Sequence, residues 1–398
     1  MGIVVNLLPI EFDENKDQKF RPMTEFKSKE WVEGNNYWLG VLEKMYNIRF
    51  NYAEENTILL ILYNGQAQHF ITQETYFREL KRGLDQGIYK KIIVFQNEVN
   101  WDTFEKLLDI EDFFYSIFGD DTRFLFHRNI FKSRFNFTKI NHAFGFGCFP
   151  FQLLHNYSET LDFSFDNLDK KFHLFSANCN VKEERLHLYQ FLEKGKHWYK
   201  TNTSFFLPLY GGVGKKFNIK DFLSNHFLKA NVGKDNSYIS NLGELDLEIK
   251  YVPKKLKYDN FNQVKNLALK DATESLFQMI FETRYHSHCG IVLSEKVFKG
   301  FLYKTPFLVF GQHGILKLLK ELGFKTFDWL IDESYDSEID DGKRLKMLLN
   351  EADKLLKTNF YDLKAKIELY NENFEYNHNL VKTFADSEIR KLFKMFYV

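Results

Sequence analysis

Residues 294–299 read Ser-Glu-Lys-Val-Phe-Lys, a dense mix of hydroxyl, acid and base where the pattern predicts a helix to begin. Ser294 fits the N-cap, with Glu295 and Lys296 in the first turn and Lys299 one turn further on. A helix start suits a bound anion, because its first backbone N–H groups lack intrahelical partners and the dipole adds partial positive charge. Lys296 and Lys299 would add full charges for a diphosphate, and Glu295 could accept hydrogen bonds from sugar hydroxyls. A diphosphate attached to a ribose needs that combination, so the run reads as a nucleotide-sugar site. Ordinary capping and dipole compensation would write the same letters, so the surrounding elements have to arbitrate.

Upstream, Asp271–Glu282 has polar ends and an apolar middle, and Arg284 and Tyr285-His286-Ser287-His288 follow it. Downstream, Pro306–Phe310 is an apolar run that reads as a buried strand, Gly311-Gln312-His313-Gly314 as a turn, and Ile315–Leu322 as a helix. Ligands of open α/β sheets gather outside the carboxyl ends of the strands. Arg284, Gly311 and His313 are thereby expected as further donor contacts. His286 and His288 lack a third ligand at a recognisable spacing, so no metal site is expected. The glycine-rich stretch Tyr210–Lys216 has neither the spacing nor the Ser/Thr of a phosphate loop and reads as a flexible loop facing an interdomain cleft. No Asp-x-Asp follows an apolar strand, and Asp332-Glu333 and Asp340-Asp341 read as solvated linker acids. Charge on a leaving diphosphate would then fall to Lys, Arg and helix N-termini. No permanently bound cofactor is expected, and a UDP-sugar is the expected co-substrate.

The run S-E-K-V-F-K, the P-F-L-V-F-G strand and the ending E-L-G-F-K-T-F resemble the C-terminal region of a phage-encoded glycosyltransferase-like family. More distantly, they are similar to the donor-binding region of fucosyltransferases and exostosin-type enzymes. Phe175–Asn180, followed by Glu184-Arg185-Leu186, resembles the strand ending in Asn and the basic helix start of that family, which implies donor roles for Asn178 and Arg185. The resemblance covers roughly residues 170–350 and is most specific over 282–327. Only Lys182 and Arg185 stand where the family carries several Arg and Pro residues. It implies two Rossmann-like α/β domains facing a cleft, the GT-B type, and transfer of a sugar to a hydroxyl.

The acceptor side is written less clearly. Glu11, Asp13 and His127 fall just beyond predicted strands of the first half, at the edge where an acid or base would be useful, with Asp13 and His127 the catalytic candidates. Each also reads as an ordinary loop residue. Arg123, Arg128, Lys132 and Arg134, with His127 and Lys139, form the densest basic-aromatic stretch and are the candidate acceptor contacts. A Phe-rich core strand with solvated basic neighbours would look the same. The phage resemblance implies a hydroxymethylated pyrimidine in double-stranded DNA as acceptor. A glycan or protein acceptor is the alternative within the class, and a non-catalytic viral scaffold protein the alternative outside it.

The chain has 398 residues, enough for two α/β domains. Its 54 acidic and 54 basic residues cancel, which argues against a protein that coats nucleic acid or anionic lipid by bulk charge. Forty-four Phe and 21 Tyr against six Pro point to an AT-rich genome, or to base-stacking platforms. Cys148, Cys179 and Cys289 show no ligand spacing and read as reduced thiols. With no apolar run of spanning length, a cytoplasmic monomer without membrane partners is expected.

Apolar runs at Thr57–Tyr63 and Lys91–Phe95 predict buried strands, and Thr72–Leu84 and Trp101–Phe118 predict helices between and after them. Phe172–Ala177, Lys182–Leu192 and Trp198–Phe206 restart the strand–helix–strand order. The expected domains are 1–150 on the acceptor side, 151–358 on the nucleotide-sugar side, and C-terminal helices over 359–398, for which the resemblance implies a crossing back to the first domain. Residues 134–170, broken by Gly145, Gly147 and Pro150, read as an irregular connection.

Overall fold

Continuous apolar runs make strands that are buried on both faces, and such strands build parallel sheets covered by crossover helices. The computed structural model of the chain has this organisation twice. It describes residues 3–13, 19–22, 48–51, 57–63, 71, 73–96, 104–128, 132–133, 139–140, 142–144, 149–161, 163–165, 169–178, 183–205, 269–282, 285 and 290–394. The chain divides into one unit of 1–154, 288–293 and 383–398, and a second of 155–287 and 294–382.

In the first unit the strands β1 (Ile3–Asp13), β4 (Thr57–Tyr63), β5 (Tyr89–Gln96), β6 (Phe124–Arg128) and β8 (His142–Phe144) are neighbours in that order and parallel. Two further strands pair with β1: β2 (Lys19–Pro22) antiparallel and β3 (Ile48–Asn51) parallel. Helices α1 (Glu74–Asp85) and α2 (Phe104–Phe118) supply the crossovers. Leu59, Ile61, Ile92 and Val94 from the sheet pack with Phe77, Leu80, Leu84, Ile110, Phe114 and Phe118 from these helices. Phe118 stacks on Phe124 with ring centroids 4.0 Å apart. Phenylalanine shares this core with Leu, Ile and Val. A short antiparallel pair, β7 (Lys132–Ser133) with β12 (Gly290–Ile291), also belongs to this unit.

Part of the stretch read as irregular is regular. Helix α3 spans Phe149–Leu161, and Pro150 does not break it because it stands in the first turn, where no intrahelical N–H bond is required.

The second unit holds a four-stranded sheet in the order β10 (Thr201–Phe205), β9 (Phe172–Asn178), β11 (Ser275–Phe281), β13 (Phe307–Phe310), every pair parallel. All seven residues of β11 and all four of β13 are buried. Helix α4 (Glu183–Lys194) follows β9, and α5 (Glu295–Leu302) lies between β11 and β13 in sequence. A Cβ at Gly300 would sit 2.3 Å from the Phe307 ring, so only glycine lets α5 lie this close to the sheet. Helices α6 (Ile315–Glu321), α7 (Asp341–Lys357), α8 (Phe360–Glu368) and α9 (Asn371–Lys394) complete the described chain. The predicted strand at 198–206 begins instead as a single 3-10 turn, Trp198–Lys200, before β10.

Candidate functional site

In the second unit all four strands point the same way, so one edge of the sheet collects every carboxyl end. Glu282 follows β11 there, Gly311 follows β13, and Asn178 is the last residue of β9. The Glu282 N–H donates to the Phe310 carbonyl at 2.9 Å, holding the ends of β11 and β13 level.

The start of α5 is built on two side chains. Ser294 is the N-cap, its Oγ accepting from Lys296 N at 3.3 Å. The same Oγ donates to the Glu282 carboxylate at 2.6 Å, and the Ser294 N–H donates to its other oxygen at 3.3 Å. Both residues are buried, at 0% and 1% exposure. A carboxylate and a capping hydroxyl therefore already answer this helix start, which sequence reasoning left open for an incoming anion. What remains for a ligand is the side chains above them. Lys296 Nζ lies 3.2 Å from Ser294 Oγ and 3.3 Å from the Glu295 carboxylate. Burial pushes the Glu295 carboxyl upward, but Lys296, Lys299 and its own backbone N–H outweigh that and hold it below the usual carboxylate range. An ionised, pure acceptor flanked by two ammonium groups is thus fixed at the mouth of the helix. It can accept from a diol while the lysines face phosphate oxygens.

Helix α6 starts at the same edge and is arranged differently. Its N-cap, Gly314, takes φ of +81°, a left-handed conformation that glycine adopts without strain. Its N–H donates to the Asp336 carbonyl at 2.7 Å. The Asp336 carboxylate accepts from Leu316 N and Lys317 N, both at 2.9 Å. Burial raises the Asp336 carboxyl pKa despite these two bonds. The α6 start is closed by the chain's own acid.

The remaining expected donor contacts are scattered around this edge. Arg185, in the first turn of α4, is 6% exposed and lies 5.9 Å from the Phe281 ring centroid. Gly311 is buried, and His313 is half-buried in the turn before α6. Arg284, His286, His288 and the 210–216 stretch lie outside the described residues. Among the buried groups in this unit that escaped the sequence reading, two stand out. Arg344, in the first turn of α7, is 1% exposed. His187, inside α4, is 8% exposed, and desolvation lowers its pKa to about 4. Nothing in the letters marks either as buried.

Several expectations about acids and bases need correction. Asp332 and Asp340 cap the segments that follow them, accepting from Ser334 N and Lys343 N at 3.0 and 2.8 Å. Glu333 accepts from Thr326 Oγ1 and Phe327 N and pairs with Lys320. Asp341 pairs with Arg344. Asp332 and Asp340 are solvent-exposed, as expected, and cap as well, whereas Glu333 and Asp341 are largely withdrawn from solvent into structural pairs.

In the first unit, His127 lies within β6 rather than beyond it, 1% exposed and stacked on Phe95 at 4.3 Å. Glu11 and Asp13 likewise belong to β1, Asp13 as its last residue, in register with Lys19. Arg123 precedes β6, at the amino end of the strand, where it pairs with Asp121 and Asp85 and donates to the Leu84 carbonyl at 3.0 Å. Those partners fasten the turn before β6 to the end of α1, so its charge is spent on the fold. Arg128 ends β6 and Lys132 begins β7, while Arg134 lies outside the described residues. Lys139 pairs with Asp112. Among the described residues, no group of three or more His, Cys, Asp or Glu could hold a metal ion. None of the described helices is long and apolar enough to cross a membrane.

The fold and this edge define a chain of two α/β units, each on a largely parallel sheet. No family model matches the sequence, and no curated protein matches it. Solved structures similar to it include an α,α-trehalose 6-phosphate synthase from Burkholderia multivorans, at 10% identity and a TM-score of 0.40, over 91% of this chain and 74% of that one. A UDP-forming α,α-trehalose-phosphate synthase from Burkholderia xenovorans is similar at 11% identity and a TM-score of 0.41, over 91% and 79%. The N-terminal domain of a trehalose-6-phosphate phosphatase from Candida albicans follows at 10% identity and 0.39, over 90% and 74%. A likeness this loose carries neither an activity nor a residue correspondence to this chain.

Proposed function

We propose that the protein is a nucleotide-sugar-dependent glycosyltransferase of the two-domain GT-B type, with the donor held at the carboxyl edge of the second unit's sheet. The observation that carries the reading is the Glu295 carboxylate 3.3 Å from Lys296 Nζ in the first turn of α5, with Lys299 one turn on. Glu295 accepts from ribose hydroxyls, and the two lysines, with Arg185 and Arg284, take the diphosphate. In the reaction the bond between the anomeric carbon and the diphosphate breaks as an acceptor oxygen bonds to that carbon. The charge growing on the leaving diphosphate falls to these cations in a metal-independent transfer.

The second unit is the donor domain in this reading, and the first binds the acceptor through Arg128, Lys132 and Arg134. Asp13 at the end of β1 is the proposed base, since His127 is buried in the core. The acceptor we favour is a hydroxymethylated pyrimidine of phage DNA, on the resemblance of the 282–327 segment. A UDP-sugar is the favoured donor, and the cytoplasm the favoured site of action.

Thermal melting with UDP, GDP, CMP and their sugars, with and without EDTA, tests the donor claim. Stabilisation by one nucleotide, insensitive to EDTA and lost in Glu295→Ala and Lys296→Ala, is the expected result. No shift at millimolar nucleotide overturns the transferase reading. With a donor in hand, mass analysis of DNA carrying hydroxymethylcytosine tests the acceptor, and transfer only to glycan or protein hydroxyls contradicts the DNA assignment.

A further inference from the structure

Arg344 is a fully buried guanidinium whose donors are nearly all directed at backbone carbonyls of loops rather than at acids. Nε donates to the Gly311 carbonyl at 3.1 Å, in the turn after β13. Nη2 donates to the Tyr285 carbonyl at 3.0 Å, just after β11, and to the Asp341 carboxylate. Nη1 donates to the Glu338 and Ile339 carbonyls at 2.9 and 3.4 Å. The guanidinium carbon also lies 4.6 Å from the Tyr285 ring centroid, and the Tyr285 hydroxyl donates to the Asp341 carbonyl at 2.9 Å.

From these contacts we infer that Arg344 is a positioning residue for the ligand site, setting the loops after β11 and β13 in one register so that Gly311–Gly314 meets the α5 start in a fixed geometry. A burial this complete costs desolvation that only a full set of partners returns. Here the partners include one carbonyl after β11 and one after β13, beside the Glu338 and Ile339 carbonyls and the Asp341 carboxylate. A planar fork with five donors in fixed directions can serve all five of these acceptors, whereas an ammonium has only three donors on one nitrogen. Asp336 fixes the same turn from its other end through Gly314, Leu316 and Lys317. The turn between β13 and α6 is therefore held at both ends before any ligand arrives, which is the condition for binding without a reordering cost.

This inference rests on the donor-site reading, and the test separates the two. UDP affinity is measured by calorimetry on the full chain for wild type, Arg344→Lys and Tyr285→Phe, alongside amide hydrogen exchange. Arg344→Lys is expected to weaken UDP binding roughly tenfold or more and to speed exchange at 311–316 while exchange in β9 and β11 stays protected. Tyr285→Phe removes one strut and gives a smaller loss of the same sign, which keeps the test alive if Arg344→Lys fails to fold. Binding to wild type with equal affinity in the variants overturns the positioning role alone. So does faster exchange spread evenly over the unit, which is what a purely structural role gives. Failure of wild type to bind UDP overturns the donor reading and this inference with it.

Discussion

Two helices begin at the same edge of the same sheet, and they treat their N-termini in opposite ways. The α6 start is sealed by Asp336, whose carboxylate takes two of its free N–H groups. The α5 start is capped by Ser294 over buried Glu282, and above that cap it keeps a second, partly exposed carboxylate between two lysines. A helix terminus by itself thus says little about binding. What distinguishes α5 is charge of both signs beyond what capping needs, held where solvent can reach it. The contrast extends to the expected acid–base behaviour: burial acts upward on both carboxyls, but the lysines outweigh it at Glu295 and nothing does at Asp336.

The contrast breaks most visibly at Asp336. Asp336→Ala removes both bonds to the α6 start and should cost about 2–3 kcal/mol of stability, read by chemical denaturation. Ser294→Ala should cost about 1–2 kcal/mol, because it removes a cap and leaves the buried Glu282 short of a donor. Glu295→Gln should change stability by less than about 1 kcal/mol, as expected for a partly exposed pair whose burial cost offsets its attraction, yet weaken nucleotide binding roughly tenfold. If Glu295→Gln costs as much stability as Asp336→Ala and leaves binding intact, the two termini are alike and the contrast fails.

Acid titration sharpens the same contrast through its sign. The depressed folded pKa of Glu295 means that its contribution is present above its ordinary 4.5 and is lost as pH falls through the folded value. The stability gap between wild type and Glu295→Gln should therefore narrow on acidification. The raised folded pKa of Asp336 gives a contribution present below its ordinary 3.8 and lost as pH rises through the folded value. The gap between wild type and Asp336→Asn should widen on acidification. Denaturation curves from pH 3 to pH 6 would show gaps of equal slope if this electrostatic account were wrong. His187 adds a separate acid limb. Its folded pKa near 4, against 6.5 unfolded, implies a loss on the order of 2–3 kcal/mol as pH falls through that interval, absent in His187→Leu.

Much of the architecture was legible because buried parallel strands leave continuous apolar runs. Thr57–Tyr63 is a strand over the same residues that the run marks, and β13 is one residue shorter than Pro306–Phe310. Ser294 was legible as a cap because capping is local, settled within three residues. What escaped depends on partners distant in sequence. Asp336 closes a helix 20 residues earlier, and Arg344 reaches back 59 residues to Tyr285. No periodicity marks a charged residue as buried when its partners are loop carbonyls. Arg123 differs, since its main partner, Asp121, is only two residues away, and Asp85, 38 residues away, is the distant one. Pro150 misled because a proline that starts a helix and one that ends it look identical in sequence.

The measurement that bears most directly on the central claim is amide hydrogen exchange of the full chain with and without UDP. Protection concentrated at 295–299 and in the turn after β13, with little change at 315–317 where Asp336 already holds the N–H groups, is the predicted result. Protection of the α6 start with none at α5, or no protection in the second unit at all, would contradict the account.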